Sequence, residues 1–347
     1  MPRERSAPRR IVVRLPNWVG DAVMATPALR ALRRAHPEAE IWASAGGPIA
    51  ALLAGLPSVD HWLPKEGRGA GAVLRQTRAL RARSFDWAVL LPDSVHAALA
   101  PFAARVPVRA GYARDLLRRA LLTRALPPPR DADGRRVPIS MIERYLRITR
   151  ALECADAGES LELPIDAQAA ERVAKRLALA GVGEAERLVV VTPGASFGAS
   201  KLWPPEHFAA ACRELQARRG LRAILAPGPG EEPVARAIAA DAGGAALVLA
   251  EPVTTLAELA ALIARAALLL TNDTGPRHMA VALGTPVVAL LGPTDPRHTA
   301  HLLGRQRVLR EPVECSPCHK KVCPIDHRCM QRLEPARVVA AAAELCD

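Results

Sequence analysis

Runs of aliphatic residues alternate along this chain with segments in which apolar positions return every three or four residues. The first pattern fits strands, and the second fits helices lying on them. In the first half the runs predict strands over 10–15, 39–44, 86–92 and 108–112, with helices over 21–35, 70–84 and 94–104. In the second half strands fall over 187–193, 222–226, 246–250, 267–271 and 286–291, and helices over 205–219, 231–241, 255–265 and 275–283. The second-half strands are nearly continuous aliphatic runs, as expected of strands covered on both faces. Regular alternation of the two element types implies an α/β fold with parallel sheets and crossover helices. No short-period repeat is present.

Between the halves, "LPPPRDADGRRVP" (126–138) is too rich in Pro, Gly and Asp for regular structure. Helical segments follow over 139–153 and 166–181, and "DAGESLELPID" (155–165) between them reads as the hinge. At 347 residues the chain can bury two cores. The architecture implied is two Rossmann-like domains facing across a cleft. They would cover 1–160 and 161–347, the latter with a Cys-rich segment at 315–329 and a C-terminal helix.

Charge narrows the partners. The formal net charge is +12, and because only five of the 47 basic residues are lysines, arginine carries it. GC-rich codon usage accounts for Arg in place of Lys but not for the excess of base over acid, so an anionic partner is expected. No apolar run approaches the roughly 20 residues that span a bilayer. The basic start is followed by a strand-like run and not by a signal-peptide core, so a cytoplasmic protein is expected.

Loops after the strands should carry the chemistry. "TPGASFGASKLWP" (192–204) offers small residues, hydroxyls at Thr192, Ser196 and Ser200, and Lys201, a set suited to a pyrophosphate. In "TNDTGPRHMAVALGTPVVALLGPTDPRHT" (271–299), Asp273, Thr274 and Gly275 open a helix with Pro276 in its first turn and His278 on nearly the same face as Thr274. Such a helix start is an anion site. Glu231 or Glu232 in "APGPGEEPVARAI" could accept from a ribose, although first-turn acids also stabilise a helix without any ligand. The first strand and turn, by contrast, hold one glycine and an acid, Asp21. Neither a G-x-G-x-x-G fingerprint nor a P-loop is present, which disfavours NAD-dependent dehydrogenases and P-loop NTPases.

Taken together, "RLPNWVGDAVMATPALRALRRAHP", "LPDSVHAALAPFAARVPVRAGY", "TPGASFGASKLWP" and "TNDTGPRHMAVALGTPVVALLGP" resemble, in order and spacing, glycosyltransferase family 9, most closely its lipopolysaccharide heptosyltransferase II members. The likeness runs from about 10 to 340. It implies a GT-B fold with an acceptor-binding first domain and a nucleotide-sugar-binding second domain. The implied reaction moves L-glycero-D-manno-heptose from ADP-heptose to the first heptose of the inner core on Kdo-lipid A, with inversion and no required metal. By the same resemblance Asp21 is the general base. Ser196, Lys201, Glu231, Asp273, Thr274, Gly275 and His278 are donor-binding. An anionic acceptor gives the basic excess a use, with Lys65, Arg68, Arg109 and Arg118 as acceptor candidates alongside Arg114 and Arg119. It also implies peripheral contact with the cytoplasmic face of the inner membrane. Two positions depart from the family pattern: Asp93 where Asn is frequent, and Pro276-Arg277 where smaller or apolar residues are usual. Other readings within the family are heptosyltransferase I or III, or a different nucleotide-sugar donor.

"CSPCHKKVCPIDHRC" places Cys315, Cys318, Cys323 and Cys329 within fifteen residues. Four thiolates are a ligand set for structural zinc or an iron–sulfur cluster, and reduced thiols or a redox-sensitive loop are the other readings. A nucleic-acid-binding role would need aromatic residues among the basic ones. The eleven Phe, Trp and Tyr of the chain do not interleave with them, so no nucleic-acid partner is expected.

Overall fold

A computed structural model describes residues 7–65, 67, 69–299 and 301–346. The chain divides into two compact units, Met1–Pro164 and Ile165–Asp347.

The first unit is a parallel six-stranded sheet of β1 (Arg10–Arg14), β2 (Glu40–Ala45), β3 (His61–Pro64), β4 (Trp87–Leu90), β5 (Val108–Tyr112) and β6 (Arg124–Leu126), in spatial order β3-β2-β1-β4-β5-β6. Its helices are α1 (Val19–Met24), α2 (Thr26–Ala35), α3 (Gly47–Leu52), α4 (Ala70–Arg81), α5 (Val95–Ala103), α6 (Leu116–Leu121) and α7 (Met141–Arg150). The single helix expected over 21–35 is in fact α1 and α2. Pro27 has no N–H to give the Val23 carbonyl, and the Thr26 hydroxyl donates to that oxygen instead at 2.9 Å.

The second unit repeats the plan. It contains α8 (Ala167–Leu179), β7 (Leu188–Thr192), α9 (Pro205–Arg219), β8 (Arg222–Leu225), α10 (Glu232–Ala242), β9 (Ala246–Val248), α11 (Leu256–Arg265), β10 (Leu268–Asn272), α12 (Gly275–Leu283), β11 (Val287–Leu291), β12 (Gln306–Arg310), α13 (Arg328–Gln331) and α14 (Pro335–Cys346). The parallel sheet order is β12-β11-β10-β7-β8-β9. Every residue of β7, β10 and β11 is buried. Proline at the start of α9 and a left-handed glycine after it, Gly220 at φ 62°, fix that helix at the ends its sequence predicts.

In each unit the strand that comes first lies third from one edge, beside the fourth to come. The strand order therefore reverses between β1 and β4 in one sheet and between β7 and β10 in the other. Ligands of such sheets sit at that reversal, beyond the carboxyl ends of the strands.

Candidate active site

In the first unit, β1 runs through residues 15–18 into α1. Trp18 is the N-cap of α1, so Asp21 lies inside the first turn and is not the cap. Its carboxylate is half-buried. It is near enough to Tyr145 of α7 that burial first, and then the Asp21 charge, push that phenol well above its ordinary range. The Lys65 ammonium donates to Asn17, four residues before Asp21. After β4, Asp93 is paired with Arg144, whose guanidinium also stands 4.1 Å from the centre of the Tyr112 ring.

Two of the arginines expected to meet an acceptor are used otherwise. Arg118 is fully buried, with its guanidinium donating to the carbonyls of Tyr112, Ser94 and Pro92. It joins three segments of the unit and is out of reach of any acceptor. Arg109 donates to the carbonyls of Leu121 and Val106, at 2.7 and 2.5 Å, and covers the Phe102 ring. Arg114 and Arg119 are exposed, and Arg68 lies outside the described residues.

In the second unit, residues 193–204 form a loop with one 3-10 turn, Ala199–Lys201. Lys201 Nζ turns back to the end of β10, donating to the Asp273 carbonyl at 2.6 Å and to its carboxylate at 3.0 Å. Arg277 Nη1 donates to the other carboxylate oxygen at 2.7 Å, and Thr294 supplies a hydroxyl at 3.0 Å. Burial alone would raise the Asp273 pKa. The charges of Lys201 and Arg277 outweigh it and hold the carboxyl well below the usual range. A carboxylate enclosed this way anchors Lys201, whose ammonium keeps one of its three N–H groups for another acceptor. Arg277, the departure noted in the sequence, is a strut. It is 1% exposed and also bonded to Gln306 and Thr299.

Thr274 is the N-cap of α12 but makes no side-chain cap, and its hydroxyl bonds instead with Thr271 and the Asn272 carbonyl. The helix therefore opens at Gly275 without a side-chain cap; Pro276 has no N–H and that of Arg277 donates to the Thr274 carbonyl at 3.2 Å, so among the described residues the Gly275 N–H is the one left for an anion. His278 is buried with Nδ1 unpartnered, and burial holds it neutral. His301 stacks on it at 5.4 Å. Among the described residues both nitrogens of His301 lack partners, and burial lowers its pKa to about 4.

Of the two acids at α10, it is Glu231 that reaches the loop. Its carboxylate accepts from the Gly228 N–H at 2.8 Å and covers Gly194, where a Cβ would meet it at 1.8 Å. A side chain at 194 would have to displace the Glu231 carboxylate. Asn272, which the sequence reading passed over, closes the arrangement by donating to the Pro193 and Gly194 carbonyls at 2.6 and 3.3 Å. Of the three loop hydroxyls, Thr192 is bonded to Thr271 and Ser200 to the Lys320 carbonyl, while Ser196 is exposed. The structure thus brings Lys201, Glu231, Asp273, Thr274, Gly275 and His278 around one loop and one helix start.

A four-thiol metal centre is one of the readings open for Cys315, Cys318, Cys323 and Cys329. All four cysteines are free thiols, and among the described residues no group of three His, Cys, Asp or Glu side chains is placed to hold a metal. Burial, with the thiols of Cys315, Cys323 and Cys318 nearby, raises Cys329 to about 11. The backbone of this segment is committed elsewhere. Cys318 and His319 donate to the Pro293 carbonyl, Ser200 donates to the Lys321 carbonyl at 3.0 Å, and His327 bonds the Ser200 carbonyl at 2.8 Å. Among the described residues no helix is long and apolar enough to cross a membrane.

The profile described as Glycosyltransferase family 9 (heptosyltransferase) matches residues 73–328. Lipopolysaccharide heptosyltransferase 2 of Salmonella typhimurium is 32% identical over 312 residues, 87% of this chain and 88% of that protein. A solved family 9 glycosyltransferase from Veillonella parvula superposes with a TM-score of 0.83 at 21% identity, covering 97% of each chain. The structure of E. coli ADP-heptose lps heptosyltransferase II does so with 0.77 at 25% identity, covering 97% of this chain and 98% of that one.

Proposed function

The chain belongs to glycosyltransferase family 9 and is a glycosyltransferase, and from that premise we propose that it transfers L-glycero-D-manno-heptose from ADP-heptose to the first heptose of a lipopolysaccharide inner core, with inversion. The observation that carries this reading is the second unit's cluster, in which a lysine anchored by a buried carboxylate stands beside an uncapped helix start. The Lys201 ammonium and the Gly275 N–H at the start of α12 supply positive charge where a leaving nucleoside diphosphate gains negative charge. Glu231, folded over the same loop, is a ready acceptor for ribose hydroxyls. Relatives named for heptose transfer and for ADP-heptose support the choice of donor.

In this scheme Asp21 takes the proton of the acceptor hydroxyl as its oxygen attacks the anomeric carbon. The bond to the ADP oxygen breaks on the opposite face, and ADP leaves with the electron pair. Tyr145, buried and neutral, keeps the surroundings of Asp21 free of a second negative charge.

The acceptor is a lipid, and α6 offers a surface for a membrane face. Leu116 and Leu117 are 85% and 62% exposed, between the exposed Arg114 and Arg119. Apolar side chains flanked by arginines suit an anionic bilayer surface on the cytoplasmic side.

The deciding experiment measures ADP release from ADP-heptose with three additions: no acceptor, an inner core lacking heptose, and one carrying a single heptose. Release that depends on the singly heptosylated acceptor is expected. Release with the heptose-free core alone reassigns the acceptor, and no release with any addition overturns the donor.

A further inference from the structure

The first unit contains a cavity whose residues neither the fold nor the reaction scheme has used. It has a volume of ≈ 30 Å³ and opens to solvent between the sheet and the helices α4 and α5. Leu80 and Leu90 belong to its apolar wall, and its polar groups are Arg14, Ser44, Gln76 and His96.

Arg14 is the last residue of β1 and pairs with Ser44 of β2 on one side and Leu90 of β4 on the other. It therefore lies at the reversal of strand order, on the carboxyl edge where ligands bind. Among the described residues its guanidinium has one hydrogen-bond partner, the Ser44 hydroxyl at 2.9 Å, and no carboxylate partner. Arg14 is half-buried, and it differs from the two fully buried arginines in its partners. Arg118 has three carbonyls, and Arg277 has a carboxylate, an amide and a threonine. Burial lowers the Arg14 pKa to about 10, and among the described residues no acid restores it. A desolvated cation with open space beside it costs stability unless an anion fills that space.

We propose that this cavity is an oxyanion subsite, in which the Arg14 guanidinium grips a carboxylate or phosphate group with Ser44 and His96 at its sides. Two N–H groups of one guanidinium match two oxygens of either anion. Asp21 follows the same strand seven residues later. On the function proposed above, on which this identification rests, the anion is an acidic group of the acceptor saccharide, held so that its neighbouring hydroxyl is presented to Asp21.

The test reads the imidazole resonances of His96 in the full-length protein, assigned with His96→Gln, while inorganic phosphate or acetate is titrated in. At least one anion is expected to shift them saturably in wild type, and Arg14→Gln to weaken that binding about tenfold or more. A response to acetate alone identifies a carboxylate site, and one to phosphate alone a phosphate site. Resonances that do not move in wild type, or that move equally in Arg14→Gln, overturn the proposal. A second readout separates a ligand-binding arginine from a structural one. Arg14→Met should raise the Tm of the ligand-free protein, because it removes an uncompensated charge, and a lowered Tm counts Arg14 as a strut and overturns the subsite. With an active acceptor, Arg14→Gln should raise the acceptor KM about tenfold and leave the ADP-heptose KM unchanged. Should no acceptor be turned over, the proposed reaction fails, while the titration and the Tm still decide the subsite.

Discussion

The two units have the same strand order and place charge at the same reversal, yet they treat it in opposite ways. In the first, Asp21 stands half-buried on a short helix behind an exposed Trp18, and its neighbour at the fourth strand, Asp93, is paired with one arginine. In the second, Asp273 is 5% exposed and bonded by Lys201, Arg277 and Thr294 together. A group that must exchange a proton with a substrate needs access and an adjustable charge. A group that holds a cation in place needs to be locked. One topology serves both because the sheet fixes only where the loop begins, and the side chains that follow decide how far the charge is desolvated.

The largest effect that would break this comparison is at Asp21. Asp21→Asn should lower kcat by about 10²–10⁴-fold, the range for loss of a general base, with Tm unchanged. A similar fall in Tm would make Asp21 another structural carboxylate. Asp273→Ala should act the other way round. It leaves Arg277 buried without its partner and should cost about 3–5 kcal/mol in denaturant unfolding of the second unit. Loss of activity without loss of stability would give Asp273 a direct role with the donor.

A somewhat smaller effect, about 3 kcal/mol, separates the units by pH. The folded-state pKa of His301 is lowered from 6.5 to about 4, so the unfolded chain takes up its proton first as the medium is acidified. That stability is fully present above pH 6.5 and is lost as pH falls toward 4, a window in which Asp273, with its pKa depressed further still, remains ionised. Unfolding followed across this range should show the second unit weakening, and His301→Phe should flatten the slope. Replacing Leu116 and Leu117 by serine is the gentlest test. Binding to anionic vesicles should fall by about 1 kcal/mol per leucine, with ADP-heptose kinetics unaltered.

Much of this was legible in the sequence. The central strands of both sheets and the helices α9 and α12 announced themselves because burial on both faces, Pro at the start and Gly at the end leave plain marks. The edge strands β3, β6 and β12 did not, because HWLP, RAL and QRVLR carry polar residues wherever an edge meets water. Lys201, Asp273 and Glu231 were readable from loops flanked by strong elements. Arg118 was misread because charge alone suggests a surface, while the carbonyls that receive it come from three separate segments. Arg14 and His301 carried no local signal at all. What distinguishes them is which partners are missing around them in space.

Ser200 lies inside the donor-side loop, yet its N–H, its carbonyl and its hydroxyl are all satisfied by residues 320–327, at least 120 positions later. The turn that presents Lys201 is therefore a late event in folding, because it cannot close until nearly all of the second unit has been synthesised and collapsed. On the proposed function, nucleotide-sugar affinity doubles as a report on completed folding: a chain stalled or misfolded short of that segment would lack the turn that presents Lys201 to the donor.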